Sequence, residues 1–173
     1  MDEKKIQEYA NILRRTDVFY DLSEVQLQMV ASICSEVRCK KGELIFEENT
    51  AGDEMYVIAQ GEVEIVVDPA LVQIQPTHSP AGGGATIATL RAGQTFGEVA
   101  LVDQGLRTAS ARCATRQALL LCIPRARLIS MCDNYPELGY RVMRNLAADL
   151  AFKIRGTDLL IREQLLWRPR PLG

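Results

Sequence analysis

The sequence predicts an α+β fold in which a small antiparallel β sandwich or barrel is flanked by helices at both ends. Three observations predict it. Residues 1–35 carry apolar side chains at helical spacing, and so do the residues beyond Pro124. Between them lie short segments, several rich in β-branched residues, bounded by glycine-containing turns. Those segments recur at the regular spacing of an antiparallel barrel.

Taken in order, residues 2–15 place Ile6, Tyr9 and Leu13 at the spacing of an amphipathic helix. Ser23 followed by Gln26 is a capping-box signature for a second helix through Val25, Leu27, Val30 and Ile33. The period then changes. Residues 37–40, 44–46, 55–59 and 63–67 read as strands, separated by turn signals at Lys41-Gly42, Ala51-Gly52-Asp53 and Gln60-Gly61. Gly42, Gly52 and Gly61 are expected to supply positive φ in those turns.

Residues 68–84 hold Pro69, Pro76, Pro80 and three consecutive glycines, which predict a long loop that is expected to be mobile. His78, the only histidine, lies there without a partner nearby in sequence and reads as a solvated loop residue. Strands resume at 86–90, 109–113 and 118–123. Beyond Pro124 a short helix is expected over 125–132, ended by Asp133-Asn134. Pro136 then suits the first position of a new helix, with Glu137 complementing its dipole. Leu138, Val142, Leu146, Leu150 and Ile154 recur every four residues, and Leu159, Leu160, Leu165 and Leu166 continue the apolar face. Gly156 is expected to break or kink this run, and Pro169 and Pro171 to end it. A helix this long exposes an apolar stripe that one domain can scarcely cover, which predicts a two-stranded dimer seam.

Composition narrows the function. The chain has 173 residues, enough for one domain with an appended helix. Apolar residues make up 47% and charged residues 24%, as in soluble globular proteins. The formal net charge of −2 gives no electrostatic footprint for nucleic acid. No apolar run approaches the ~18 residues of a membrane span. The opening Met1-Asp2-Glu3-Lys4-Lys5 lacks a signal-peptide core. The expectation is a cytoplasmic protein with neither DNA nor membrane as partner.

The densest chemistry lies in Phe96-Gly97-Glu98-Val99-Ala100-Leu101, followed by Leu106-Arg107-Thr108-Ala109-Ser110-Ala111. Gly97 has no Cβ and lets the backbone approach a ligand closely. The apolar run after it can form one helical turn, whose first N–H groups lack intrahelical partners. Arg107 offers a planar fork of donors and a permanent charge to a phosphate. Glu98, acceptor-only when ionised, suits a sugar hydroxyl.

This stretch resembles the phosphate-binding cassette of the cyclic-nucleotide-binding domains. These are the sensor modules of catabolite-activator-type regulators, protein kinase regulatory subunits and nucleotide-gated channels. The resemblance implies an antiparallel β jelly-roll barrel flanked by N-terminal helices and a long C-terminal helix. It implies that Glu98 hydrogen-bonds a ribose 2′-OH and that Arg107 neutralises a cyclic phosphate. Phe96, Gly97, Val99, Ala100, Thr108 and Ala109 then complete the ligand-binding set, with cAMP or cGMP as bound effector. Thr108 accompanies cGMP preference in some members and occurs in cAMP-preferring ones, and cAMP is placed ahead of cGMP. Aligned without gaps from Pro136, the long helix brings Lys153, Ile154 and Arg155 near the base, and Arg155 is taken into the site.

The implied organisation is N-terminal helices over 1–35, the barrel over 36–124 with its cassette at 96–111, and C-terminal helices over 125–168 acting as hinge and dimerisation helix. Nothing in the last residues resembles the helix-turn-helix domain of the regulators, so a free-standing sensor is expected. It would work as a homodimer or through a separate effector protein. Some family members hold haem or an iron–sulfur cluster. Here the five cysteines, Cys34, Cys39, Cys113, Cys122 and Cys132, are scattered with no C-x-x-C pair, so neither group nor any metal is expected. An enzyme on a cupin-type barrel would need several converging metal ligands, which one histidine does not supply. A non-binding dimerisation domain that keeps only the fold is the remaining alternative.

Overall fold

The computed structural model describes residues 2–68 and 84–166. The expected 68–84 loop therefore lies almost wholly outside the described residues, as do His78, Pro169 and Pro171. Helix α1 (Glu3–Leu13) buries Tyr9, Ala10 and Leu13. A 3-10 turn, Asp17–Phe19, follows and buries Val18 and Phe19. In α2 (Glu24–Ile33) the capping box forms as its sequence dictates. The Gln26 amide donates to the Ser23 hydroxyl, and the Ser23 amide donates to the Gln26 side chain.

Eight strands follow among the described residues: β1 (Ser35–Lys40), β2 (Leu44–Phe46), β3 (Glu54–Gln60), β4 (Glu62–Val67), β5 (Ala85–Arg91), β6 (Thr95–Phe96), β7 (Ser110–Cys113) and β8 (Gln117–Pro124). They form two four-stranded sheets of order β1-β8-β3-β6 and β2-β7-β4-β5, with every pairing antiparallel. This is the antiparallel sandwich that the strand spacing predicts, in the jelly-roll layout that the resemblance implies. The two-residue β6 is too short to leave a periodic signal.

Strands β3 and β8 explain how helices and barrel join. Side chains alternate across a strand. Tyr56 and Ile58 of β3, with Ala118 and Leu120 of β8, face the barrel interior beside Val63, Phe96, Ala111 and Cys113. Met55 and Val57, with Leu121 and Ile123, face the other way and pack on the helices through Leu13, Phe19, Leu27, Leu128 and Leu138. Both faces are covered, which is why these strands read as continuous apolar runs rather than alternating ones.

Helix α4 (Arg125–Asn134) leads into α5 (Pro136–Leu166), a 31-residue helix. Leu138, Val142 and Leu146 are buried, and Leu150 packs beside them. Asn145 fixes this part of the helix, donating from Nδ2 to the carbonyls of Val18 (3.3 Å) and Tyr20 (2.7 Å). Gly156 does not interrupt the helix, contrary to expectation: α5 runs through it, with open space where a Cβ would lie. The flanking residues are strong enough helix formers to carry one glycine, at about 1 kcal/mol against alanine.

Candidate ligand-binding site

The cassette begins where β6 ends. Phe96 pairs with Tyr56 of β3, and the chain then turns through Gly97 at φ 76°. Glu98 precedes α3 (Val99–Asp103), a short helix closed by Gln104 in the left-handed conformation. The chain returns alongside residues 49–51: Leu106 bridges Ala51, the Arg107 amide donates to the Thr50 carbonyl, and the Asn49 amide donates to the Arg107 carbonyl, both at 2.8 Å. That backbone ladder fixes where the Arg107 side chain starts.

Arg107 is 4% exposed, and its guanidinium folds back under the turn. Nη1 donates to the Gly97 carbonyl at 3.0 Å and Nη2 to the Glu54 carbonyl at 2.8 Å. The Glu54 carboxylate is a looser partner at 3.4 Å. The group also lies 4.1 Å from the Phe46 ring centroid, a cation–π contact on a ring that packs with Tyr56 and Phe96. Two glycines make room for it. A Cβ on Gly97 would meet Nη1 at 2.7 Å, and one on Gly52 would meet Nε at 2.2 Å. Gly42 and Gly61 have the expected positive φ, but Gly52 does not. Its role is space for the guanidinium, which corrects the expected positive φ; the segment still separates β2 from β3 as expected.

Glu98, also 4% exposed, meets α5. Lys153 Nζ donates to Glu98 Oε1 at 2.9 Å and to the Thr95 carbonyl at 3.0 Å. Asp149 Oδ2 lies 2.7 Å from the same ammonium, an ion pair by distance without hydrogen-bond geometry. Burial pulls the Lys153 pKa down, but the charges and contacts of Glu98 and Asp149 outweigh it and hold the pKa above its ordinary value. Three buried side-chain atoms find no hydrogen-bond partner among the described residues: Asp149 Oδ2 beside the Lys153 ammonium, and in the cassette Glu98 Oε2 and Arg107 Nε. Of the cassette pair, one is an acceptor and the other a donor.

The family model described as the cyclic nucleotide-binding domain matches residues 36–135, more than half of the chain, from the second residue of β1 through the cassette and α4. The chain belongs to the cyclic nucleotide-binding domain family.

Among relatives of this domain, the cyclic AMP receptor protein of Thermus thermophilus is 29% identical over 147 residues, covering 85% of this chain and 61% of the receptor. A cGMP-dependent protein kinase of Drosophila melanogaster is 27% identical over 135 residues, 78% of this chain and 14% of the kinase. The chain thus spans less than two thirds of either. The crystal structure of a cyclic nucleotide-binding domain from Methylobacillus flagellatus covers 98% of this chain and 88% of its own, with a TM-score of 0.76 at 24% identity, a likeness of fold. The Thermus thermophilus catabolite activator protein superimposes with a TM-score of 0.67 at 29% identity, covering 86% of this chain and 63% of that one.

Within the domain the predicted site residues do not all come together. Phe96 is buried in the aromatic cluster, 5.2 Å from Tyr56, and supports the turn from beneath. Val99 and Ala100 open α3, Ala109 is buried, and Thr108 is exposed beside Arg107. Arg155 is exposed, whereas Lys153 reaches the cassette. The two lie two residues apart, on different sides of a helix with 3.6 residues per turn.

Sequence reasoning also missed the residues that hold Arg107. Phe46 and Glu54 carry no motif, and only the folded barrel brings them to the guanidinium. Gly52 gave a signal that was assigned to the wrong cause. The five cysteines are unpaired. Burial pushes the Cys34 and Cys39 thiols up to about 12, and raises Cys122 and Cys132 as well. Among the described residues no cluster of histidine, cysteine and carboxylate side chains could hold a metal ion. No described helix is long and apolar enough to cross a membrane.

Proposed function

We propose that this chain is a regulatory sensor that binds a cyclic nucleotide, cAMP ahead of cGMP, and responds by moving α5, with no catalysis of its own. One observation carries the reading: two buried charged residues share a cassette, and each keeps one unpartnered atom, Glu98 Oε2 and Arg107 Nε. A buried polar atom left unpaired costs ~1–3 kcal/mol, so the cassette gains by taking up a matching ligand. The 2′-hydroxyl of a ribose donates to Glu98. The cyclic phosphate accepts from Arg107 and from the backbone turn of Gly97, Glu98, Val99 and Ala100. Thr108, exposed at the rim, supplies a hydroxyl, and Ala109 keeps the floor free of bulk.

The relative that aligns over 85% of the chain is named for cAMP, which supports cAMP as first choice. The kinase named for cGMP keeps cGMP as second. Base recognition falls to α5, where Arg155 reaches a purine only after the helix moves. A ligand shifts a conformation by its differential affinity for two states. The Lys153–Glu98 contact makes the binding carboxylate and the helix one mechanical unit.

Phe152 and Leu159, seven residues apart on one side of α5, are exposed at 78 and 61%. Exposed apolar side chains at this spacing support a homodimer through the helix, with a separate effector protein receiving the movement. The cytoplasm is the proposed location.

Thermal unfolding with and without nucleotide tests the reading. Ligand at a hundred times its dissociation constant stabilises by ~2.7 kcal/mol. A melting curve unmoved by cAMP and by cGMP would leave only a fold-keeping dimerisation domain.

A further inference from the structure

We propose that Lys153 sets the sugar specificity of the cassette. Its ammonium holds one oxygen of the buried Glu98 carboxylate and leaves the other as the acceptor for a ribose 2′-hydroxyl, a group that deoxyribose lacks. The proposal rests on the sensor reading above and names what makes that same site select its sugar.

Three observations support it. First, residues 151–159 of α5 are exposed with the single exception of Lys153, so this stretch sends one side chain to the barrel. Second, the ammonium has anchors of its own on two elements. It donates at 3.0 Å to the carbonyl of Thr95, a residue paired with Val57 in the sheet, and Asp149 Oδ2, one turn earlier on α5, lies 2.7 Å away. The charge therefore has a defined place without help from Glu98. Third, it meets the two oxygens of Glu98 unequally. Lys153 donates to Oε1 at 2.9 Å and is the only hydrogen-bond partner of that side chain among the described residues, whereas Oε2 is buried without one.

Selection follows from this asymmetry. The terminal torsion of a glutamate is broad and presents either oxygen to a partner. With Oε1 held, the carboxylate has one orientation, and Oε2 is the acceptor that remains. The ammonium also supplies the opposite charge that a buried carboxylate requires. A ribose 2′-hydroxyl donates to Oε2 while Lys153 keeps Oε1, so the two contacts coexist. A 2′-deoxyribose brings no donor and leaves Oε2 unpaired, which is how a site built around a hydroxyl rejects the analogue without it. Lys153 acts through Glu98 and is a positioning residue.

The test is calorimetric titration of the whole chain with cAMP, cGMP and their 2′-deoxy analogues. Lys153→Met keeps the stem and removes the charge, Lys153→Gln is a second uncharged variant, and Lys153→Arg keeps the charge. Melting curves check that each is folded. In wild type, loss of the hydroxyl should weaken binding roughly ten- to a hundredfold. In both uncharged variants that penalty should shrink to about threefold or less, because the ribonucleotide binds more weakly while the deoxy analogue hardly changes. Lys153→Arg should recover most of the penalty. Lys153→Met added to Glu98→Gln should cost little beyond Glu98→Gln alone, a result that a general loss of stability would not give. A deoxy penalty as large in Lys153→Met and Lys153→Gln as in wild type overturns the positioning role and leaves the sensor intact. Equal wild-type affinity for a nucleotide and its deoxy analogue overturns it too, while the binding itself upholds the sensor. A wild type that binds neither cAMP nor cGMP overturns both.

Discussion

A Cβ placed on Gly52 would stand 2.2 Å from Nε of Arg107. The glycine is the empty half of a fitted pair, and the other half is the residue proposed to hold the phosphate. Gly52→Ala should therefore push the guanidinium off the Gly97 and Glu54 carbonyls and weaken cAMP binding by roughly tenfold or more, the worth of one charge-assisted hydrogen bond. Isothermal titration of the variant checks this, with its melting curve showing that the barrel persists. Binding equal to wild type would mean that Arg107 does not need its present position.

Glu98 should be read against the hydroxyl it is proposed to accept. Removing the 2′-hydroxyl from the nucleotide should weaken binding to wild type by roughly ten- to a hundredfold, as for hydrogen bonds to charged groups. Glu98→Gln should weaken binding of the intact nucleotide, and the penalty for the deoxy ligand should shrink in that variant. A double-mutant cycle on protein and ligand measures the coupling. Independent, additive losses would place the hydroxyl elsewhere.

Alkaline pH should loosen α5. Glu98 and Asp149 face the Lys153 ammonium and raise its folded pKa above 10.5 despite the opposing effect of burial. A lysine with a raised folded pKa stabilises fully below its unfolded pKa, and that contribution is lost as pH rises through the folded value. Nuclear magnetic resonance of the Lys153 side chain should show it titrating above 10.5. Titration below 10.5 would mean that burial outweighs the two carboxylates.

The thiols should be slow. With Cys34 and Cys39 pushed up to about 12 by burial, little thiolate exists near neutral pH. Ellman's reagent at pH 8 should label the native protein far more slowly than the unfolded chain, which should yield all five cysteines. Rapid native labelling would reopen a redox role.

Much of this architecture was legible because it is local. The Ser23–Gln26 box, the apolar runs of β3 and β8, and the four-residue repeat of Leu138, Val142 and Leu146 each leave a signal in consecutive residues. The cassette was legible for the same reason, since Gly97, Glu98 and Arg107 lie close in sequence. What closes over it was not. Phe46, Gly52 and Glu54 lie far from Arg107 in sequence and meet it only in the folded barrel, and Lys153 meets Glu98 across 55 positions. Gly156 misled because a glycine costs a helix only about 1 kcal/mol, too little to end one of 31 residues. Arg155 is exposed, and Lys153 of the same helix meets Glu98, because a gapless alignment gives a position along a helix without its rotation.

The central claim, that this chain binds a cyclic nucleotide through Arg107, is tested most directly by calorimetric titration of wild type and Arg107→Ala with cAMP. Arg107→Lys serves as the variant that keeps the buried charge. The account predicts saturable binding by wild type, loss of roughly tenfold to two hundredfold in Arg107→Ala, and partial recovery in Arg107→Lys. Equal affinity in wild type and a folded Arg107→Ala would contradict it.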